Sequence, residues 1–150
     1  MAKTAKDVQG DIITLLKNSS VASAITGGIY RAGYRPRDSR KEDAVVIFTA
    51  GLPEQIQTGV VTVHIYVPDI ECEGVYVEDG ARTATLERTL QTWADSLTPS
   101  VSPYKFRLQA TVTTEDAPDI QQHFVVAMLR YDYFGSDDPV TVQQTNSTNQ

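Results

Sequence analysis

A second cysteine is missing from this chain. With Cys72 alone no intrachain disulfide can form, and the sequence reads as one for a reducing compartment or as indifferent to redox state. Glu71 and Glu73 flank that cysteine and disfavour its thiolate, which speaks against a catalytic thiol. Long apolar runs are missing too. No stretch approaches the roughly 18 residues of a membrane-spanning helix, and the N-terminal lysines have no apolar stretch behind them, so the expectation is a protein that stays soluble without export. The glycosylation sequons at Asn18 and Asn146 then read as chance matches. Excess positive charge is also lacking: the net charge of −6 argues against general binding to phosphate backbones. Histidine is scarce. His64 and His123 stand apart in strand-like segments, with no His-x-x-x-His and no cysteine pair that would point to zinc. No Gly-x-Ser-x-Gly occurs, and Gly27-Gly28 opens no phosphate loop. Glu115, Asp116 and Asp119, like Asp137 and Asp138, lie in turn-like stretches without calcium-loop spacing. The residues give no catalytic group, no metal and no cofactor, and the expectation is a protein that is not an enzyme.

What the chain does contain is the material of one ordinary domain. It has 150 residues, 41% hydrophobic and 21% charged, enough to bury a core without staples. Val8, Ile12, Leu15 and Leu16 predict an amphipathic helix over residues 7–17, and Val21, Ala24 and Ile25 a short further turn before Gly27-Gly28 stops it. Residues 29–43, with Pro36 biasing Arg35 towards extended backbone, read as an extended arm. The run Val45-Val46-Ile47-Phe48 predicts a buried strand, and residues 57–67 alternate strictly, giving a hairpin with it. Residues 68–80 read as an acidic loop. Leu86, Leu90, Trp93 and Leu97 mark a second helix whose Arg82, Thr83 and Glu87 can stay outside. Residues 104–113 alternate most cleanly of all, 114–119 read as a turn, and 120–134 as a last strand with an aromatic end. The polar residues 135–150 read as a flexible tail. The fold class is thus α+β: an antiparallel sheet with two helices packed on one face, in the order helix-strand-strand-helix-strand-strand, over residues 1–134.

Charge is laid out unevenly. Residues 31–41 place Arg31, Arg35, Arg37, Arg40 and Lys41 around one acid, while residues 69–79 hold Asp69, Glu71, Glu73, Glu78 and Asp79 and no base. Exposed ion pairs stabilise a monomer by only about 0 to 1 kcal/mol each, whereas a surface that meets a copy of itself gains register and orientation from such segregation. Tyr30 and Tyr34 lie in the basic stretch, and Tyr and Arg are the types enriched at interfaces. Lys41 apart, these eleven residues are the candidate subunit or partner interface. The competing reading is two solvated loops that keep the protein soluble.

With this element order, the step Ile25-Thr26-Gly27-Gly28-Ile29-Tyr30, Arg35-Pro36 and a final strand ending Arg130-Tyr131-Asp132-Tyr133, the chain resembles the tail terminator and tail-completion proteins of tailed bacteriophages over residues 7–134. The resemblance implies a virion protein assembled in the host cytoplasm. It forms a ring, a hexamer or a portal-matched dodecamer, that caps the tail tube, joins the head-side connector and lets genomic DNA pass without specific binding. A neck ring nearer the portal and a small monomeric protein-binding module remain alternatives. In the ring, the arm at residues 31–40 is expected near a neighbour's 69–79 loop. Charge reversal at Arg35 and Arg37 is then expected to weaken association without unfolding the domain.

Overall fold

Two 12-residue strands, β3 (Gln57–Pro68) and β9 (Gln122–Tyr133), pair antiparallel over their whole length and form the centre of the molecule. The computed structural model describes residues 3–53, 56–97, 100–101 and 103–134; the expected tail at 135–150 lies outside these. Alternation fixes the two faces of the sheet. Val61, Val63, Ile65 and Val67 on β3 and Val125, Ala127, Leu129 and Tyr131 on β9 point to one side and are buried, because successive side chains leave a strand in opposite directions. β2 (Ala44–Leu52) pairs antiparallel with β3, and a bulge between Phe48 and Ala50 shifts the register. The expected buried strand is therefore buried at Ala44 to Val46 and emerges into solvent at its end.

Three helices cover the core face. α1 (Ala5–Lys17) opens on a capping box in which Thr4 and Asp7 satisfy each other's backbone amides, and buries Val8, Ile12 and Leu16. α2 (Ser20–Ala24) is the short turn, capped by Ser19. α3 (Gly80–Ser96) is capped by Asp79 and buries Leu86, Leu90 and Trp93, the stripe read from its spacing. The sheet is completed by β1 (Ile29–Arg31), β6 (Ser100–Val101), β7 (Tyr104–Leu108) and β8 (Thr113–Ala117), in the order β1-β2-β3-β9-β7-β6, with β8 also on β9.

Several expectations need correction. The fold is α+β with a mostly antiparallel sheet, but β1 joins it in parallel to β2, and the α-helices among the described residues number three. Residues 29–43 are not an extended arm. A parallel neighbour requires a crossover of a dozen or so residues, and the segment after β1 supplies it, turning at Arg31 to Tyr34 and at Pro36 to Ser39. Residues 68–80 are not simply a loop: β4 (Ile70–Cys72) and β5 (Val75–Val77) form a hairpin. Thr83 is buried and donates to Glu78, and Arg82 binds Glu42, so neither stays outside. The third strand breaks after Leu108, and the supposed turn at 114–119 is mostly β8. Leu108 faces Leu129 while Thr113 faces Val126, so two extra residues are accommodated between them. An even insertion keeps each side chain on its face, which is why the alternation looked unbroken.

Candidate assembly surfaces

The basic crossover and the acidic hairpin lie side by side, both fastened to the start of β9. Arg40 donates to the carbonyls of Ile120 and Gln121 at 2.7 and 3.4 Å. Arg35 donates to the Asp43 carboxylate at 2.8 Å and to Gln122 Oε1 at 2.9 Å, and its guanidinium stacks 4.1 Å over the Tyr66 ring. On the acidic side, the Asp69 amide donates to the Gln121 carbonyl and the Asp69 carboxylate lies 2.6 Å from His123 Nδ1. Glu78 approaches His123 Nε2 at 3.9 Å.

Several of the segregated charges thus have their partners within the chain. Asp43 is the hub: its side chain is 2% exposed and accepts from Arg35, the Ser39 hydroxyl and the Gly28 amide. Burial would raise this carboxyl, and the Ser39, Arg35 and Gly28 hydrogen bonds together with the Arg35 charge outweigh it and hold it below its ordinary range. A second network joins Arg82 to both Glu42 oxygens and to the Ala24 carbonyl; the bonds to Glu42 raise the guanidinium further. Glu42 and Asp43 adjoin the basic stretch and were the acids that a window ending at Lys41 left out. Their position just before a buried strand was the available signal.

Of the eleven interface candidates, Asp69 and Glu78 tie down His123, Asp79 caps α3 through the Arg82 amide, and Arg35 and Arg40 hold the crossover. Arg31 reaches the Lys6 carbonyl at 3.4 Å, and Tyr30 is half-buried beside Gly28. Tyr34, 65% exposed, Arg37, Glu71 and Glu73 remain on the surface, and among the described residues the last three have no ion-pair partner.

The hairpin itself is the feature that sequence reading missed. Glu73 and Gly74 both have positive φ, 53° and 85°, the two-residue turn whose twist suits a hairpin. Ile70 faces Val77 and Cys72 faces Val75, while Glu71 faces Tyr76. One side is therefore wholly apolar, made of Ile70, Cys72, Val75 and Val77, all exposed. The alternation of acid with Ile, Val and Tyr was visible, but the acids drew the reading towards a loop.

A second surface is the sheet face opposite the helices. His64 on β3 stacks on Phe124 at 4.4 Å between centroids and lies edge-on to Tyr66. Val45, His64 and Val126 form one cross-strand row. Burial lowers the His64 pKa from the ordinary 6.5 to about 4, so the folded protein holds it neutral. The unfolded chain takes up a proton near pH 6.5, and stability is full above that and falls as pH drops towards 4. The loss is expected to reach about 2 kcal/mol, reduced by the ring's partial exposure. His64→Phe is expected to remove that share of the slope, checked by urea unfolding of both proteins from pH 7.5 to 4.5; parallel curves would show that His64 titrates alike in both states. Among the described residues no group of three His, Cys, Asp or Glu side chains is placed to hold a metal ion.

Compared with known protein families and curated proteins, the chain matches no family and no curated relative.

Proposed function

We propose that this protein is a structural subunit that assembles with copies of itself into a ring. On the resemblance drawn from the sequence, we take that ring to sit at the head-proximal end of a bacteriophage tail, as a terminator between tail tube and head connector. The observation that carries the reading is the β4–β5 hairpin, a two-stranded element with an exposed apolar side. Isolated hairpins are marginal in water, and an apolar surface on a projecting element is characteristic of a contact site. Its fastening to β9 through Asp69 and Glu78 gives it a fixed direction, as a docking element needs.

The test is Val75→Asp with Val77→Asp. Both side chains are exposed, so the melting temperature is expected to move by less than about 4 °C, while incorporation into rings or onto purified tail tubes, followed by sedimentation, is lost. Unchanged assembly with charge on the hairpin would contradict the reading.

A further inference from the structure

The acidic hairpin needs a partner surface, and the same chain carries one at its far end. Past Phe48 the bulge in β2 brings Ala50 opposite Val60 and Leu52 opposite Thr58, on the open sheet face. These residues line a cleft of about 190 Å³ with Arg130 at its rim. Leu52 is 56% exposed, and the backbone of Gly51 and Gly59 also lines the cleft. Arg107 on β7 stands directly opposite Arg130 on β9. Both are exposed, and neither has an ion-pair partner among the described residues. Two like charges facing each other across a ladder repel, and an anion placed between them removes that cost. The only other cation of that ladder, Lys105, faces Asp132 and lies 5.4 Å from the Phe134 ring.

The two surfaces are complementary in kind. The hairpin offers Ile70, Cys72, Val75 and Val77 with the unpaired acid Glu73 at its turn; the cleft offers Ala50, Leu52 and Val60 with Arg107 and Arg130, unpaired among the described residues. They cannot meet within one chain. The hairpin leaves β3 at Pro68 and the cleft lies at Thr58, roughly 30 Å away along the strand, whereas a three-residue arm reaches only about 10 Å. A contact between different patches on identical chains is heterologous, and it closes into a ring when the rotation allows.

We propose that the β4–β5 hairpin of one subunit docks by its apolar side on the Ala50, Leu52 and Val60 cleft of the next, with Glu73 at its turn set against that neighbour's Arg130 and Arg107. This rests on the ring reading and specifies its contact. It also replaces the basic crossover, whose Arg35 and Arg40 are bound within the chain, as the electrostatic partner of the hairpin.

The single native cysteine makes the test direct. Cys72 lies on the docking side, so Leu52→Cys provides both ends of a trans crosslink. Under mild oxidation the Leu52→Cys protein is expected to give a ladder extending beyond dimer, with Cys72 joined to the new cysteine by peptide mass. The wild type, and Leu52→Cys combined with Cys72→Ala, are expected to stay monomeric on the same gel. Thr58→Cys provides a second position on the cleft should Leu52 matter to folding. Glu73→Lys is expected to slow ladder formation roughly tenfold, and Glu73→Lys with Arg130→Glu to recover much of it. Homotypic dimers alone, or no species above monomer, would overturn the docking. Light scattering on the same samples separates the two ideas: a large mass without the ladder leaves the ring reading standing and removes this contact, while monomers without the ladder remove both.

Discussion

Arg35→Ala is expected to cost about 3 to 5 kcal/mol of folding stability, the size of effect seen when one member of a buried ion pair is removed and the other stays behind. Arg35 and Asp43 have side chains only 12% and 2% exposed, so water cannot replace the lost guanidinium. Asp43 would retain the Ser39 hydroxyl and the Gly28 amide, but not a counter-charge. Gln122, itself buried, would lose its Arg35 contact and keep only its bond to the Ser39 carbonyl. Asp43→Asn in the Arg35→Ala background is expected to recover part of the loss, because it removes the stranded charge while leaving an acceptor for Gly28. Urea unfolding of the wild type, both single variants and the double variant checks this. Additive losses would mean the two side chains do not act as a pair. Charge reversal at Arg35 therefore destabilises the domain itself, and only reversal at Arg37 probes association cleanly.

Gly59→Ala is the second large effect, expected at about 3 kcal/mol. A β-carbon at this position would lie 2.4 Å from the Ala50 carbonyl oxygen and 2.6 Å from the Tyr131 hydroxyl. The first of these is backbone of the paired strand and cannot swing away, so relief requires parting β2 from β3 where the bulge already bends them. Tyr131 is fully buried, and its hydroxyl has no hydrogen bond; the polar side chain acting on it, Gln57, has its amide committed to both backbone groups of Lys3. Tyr131→Phe is therefore expected to cost little alone and to relieve part of the Gly59→Ala loss. Thermal denaturation of the three variants checks both statements, and a Gly59→Ala protein as stable as wild type would show that the strands part freely.

The helices and long strands were legible because periodicity reports burial directly. Val8, Ile12 and Leu16, Leu86, Leu90 and Trp93, and the alternating Val61, Val63, Ile65 and Val67 all face the core where their spacing put them. What was not legible depended on partners distant in sequence. Arg35 reaches Gln122 across 87 positions and Arg82 reaches Glu42 across 40, and no local pattern marks an ion pair as internal. A two-residue bulge is equally silent, because it preserves alternation, and so residues 104–117 read as one strand and a turn. Of the acidic stretch, Glu71 and Glu73 lie on the hairpin, but composition could not show which acids were already paired, nor that Arg107 and Arg130, 23 positions apart, face each other on the open side of the sheet.

The central claim is self-assembly, and the solution mass tests it most directly. Light scattering over a series of concentrations and salt strengths, with electron micrographs of the largest species and a parallel series containing purified tail tubes, is expected to show a closed ring whose stability falls as salt rises, since charge pairs at a contact are screened by ions. A monomer at every concentration and salt strength, with no ring at the tube ends, would contradict it.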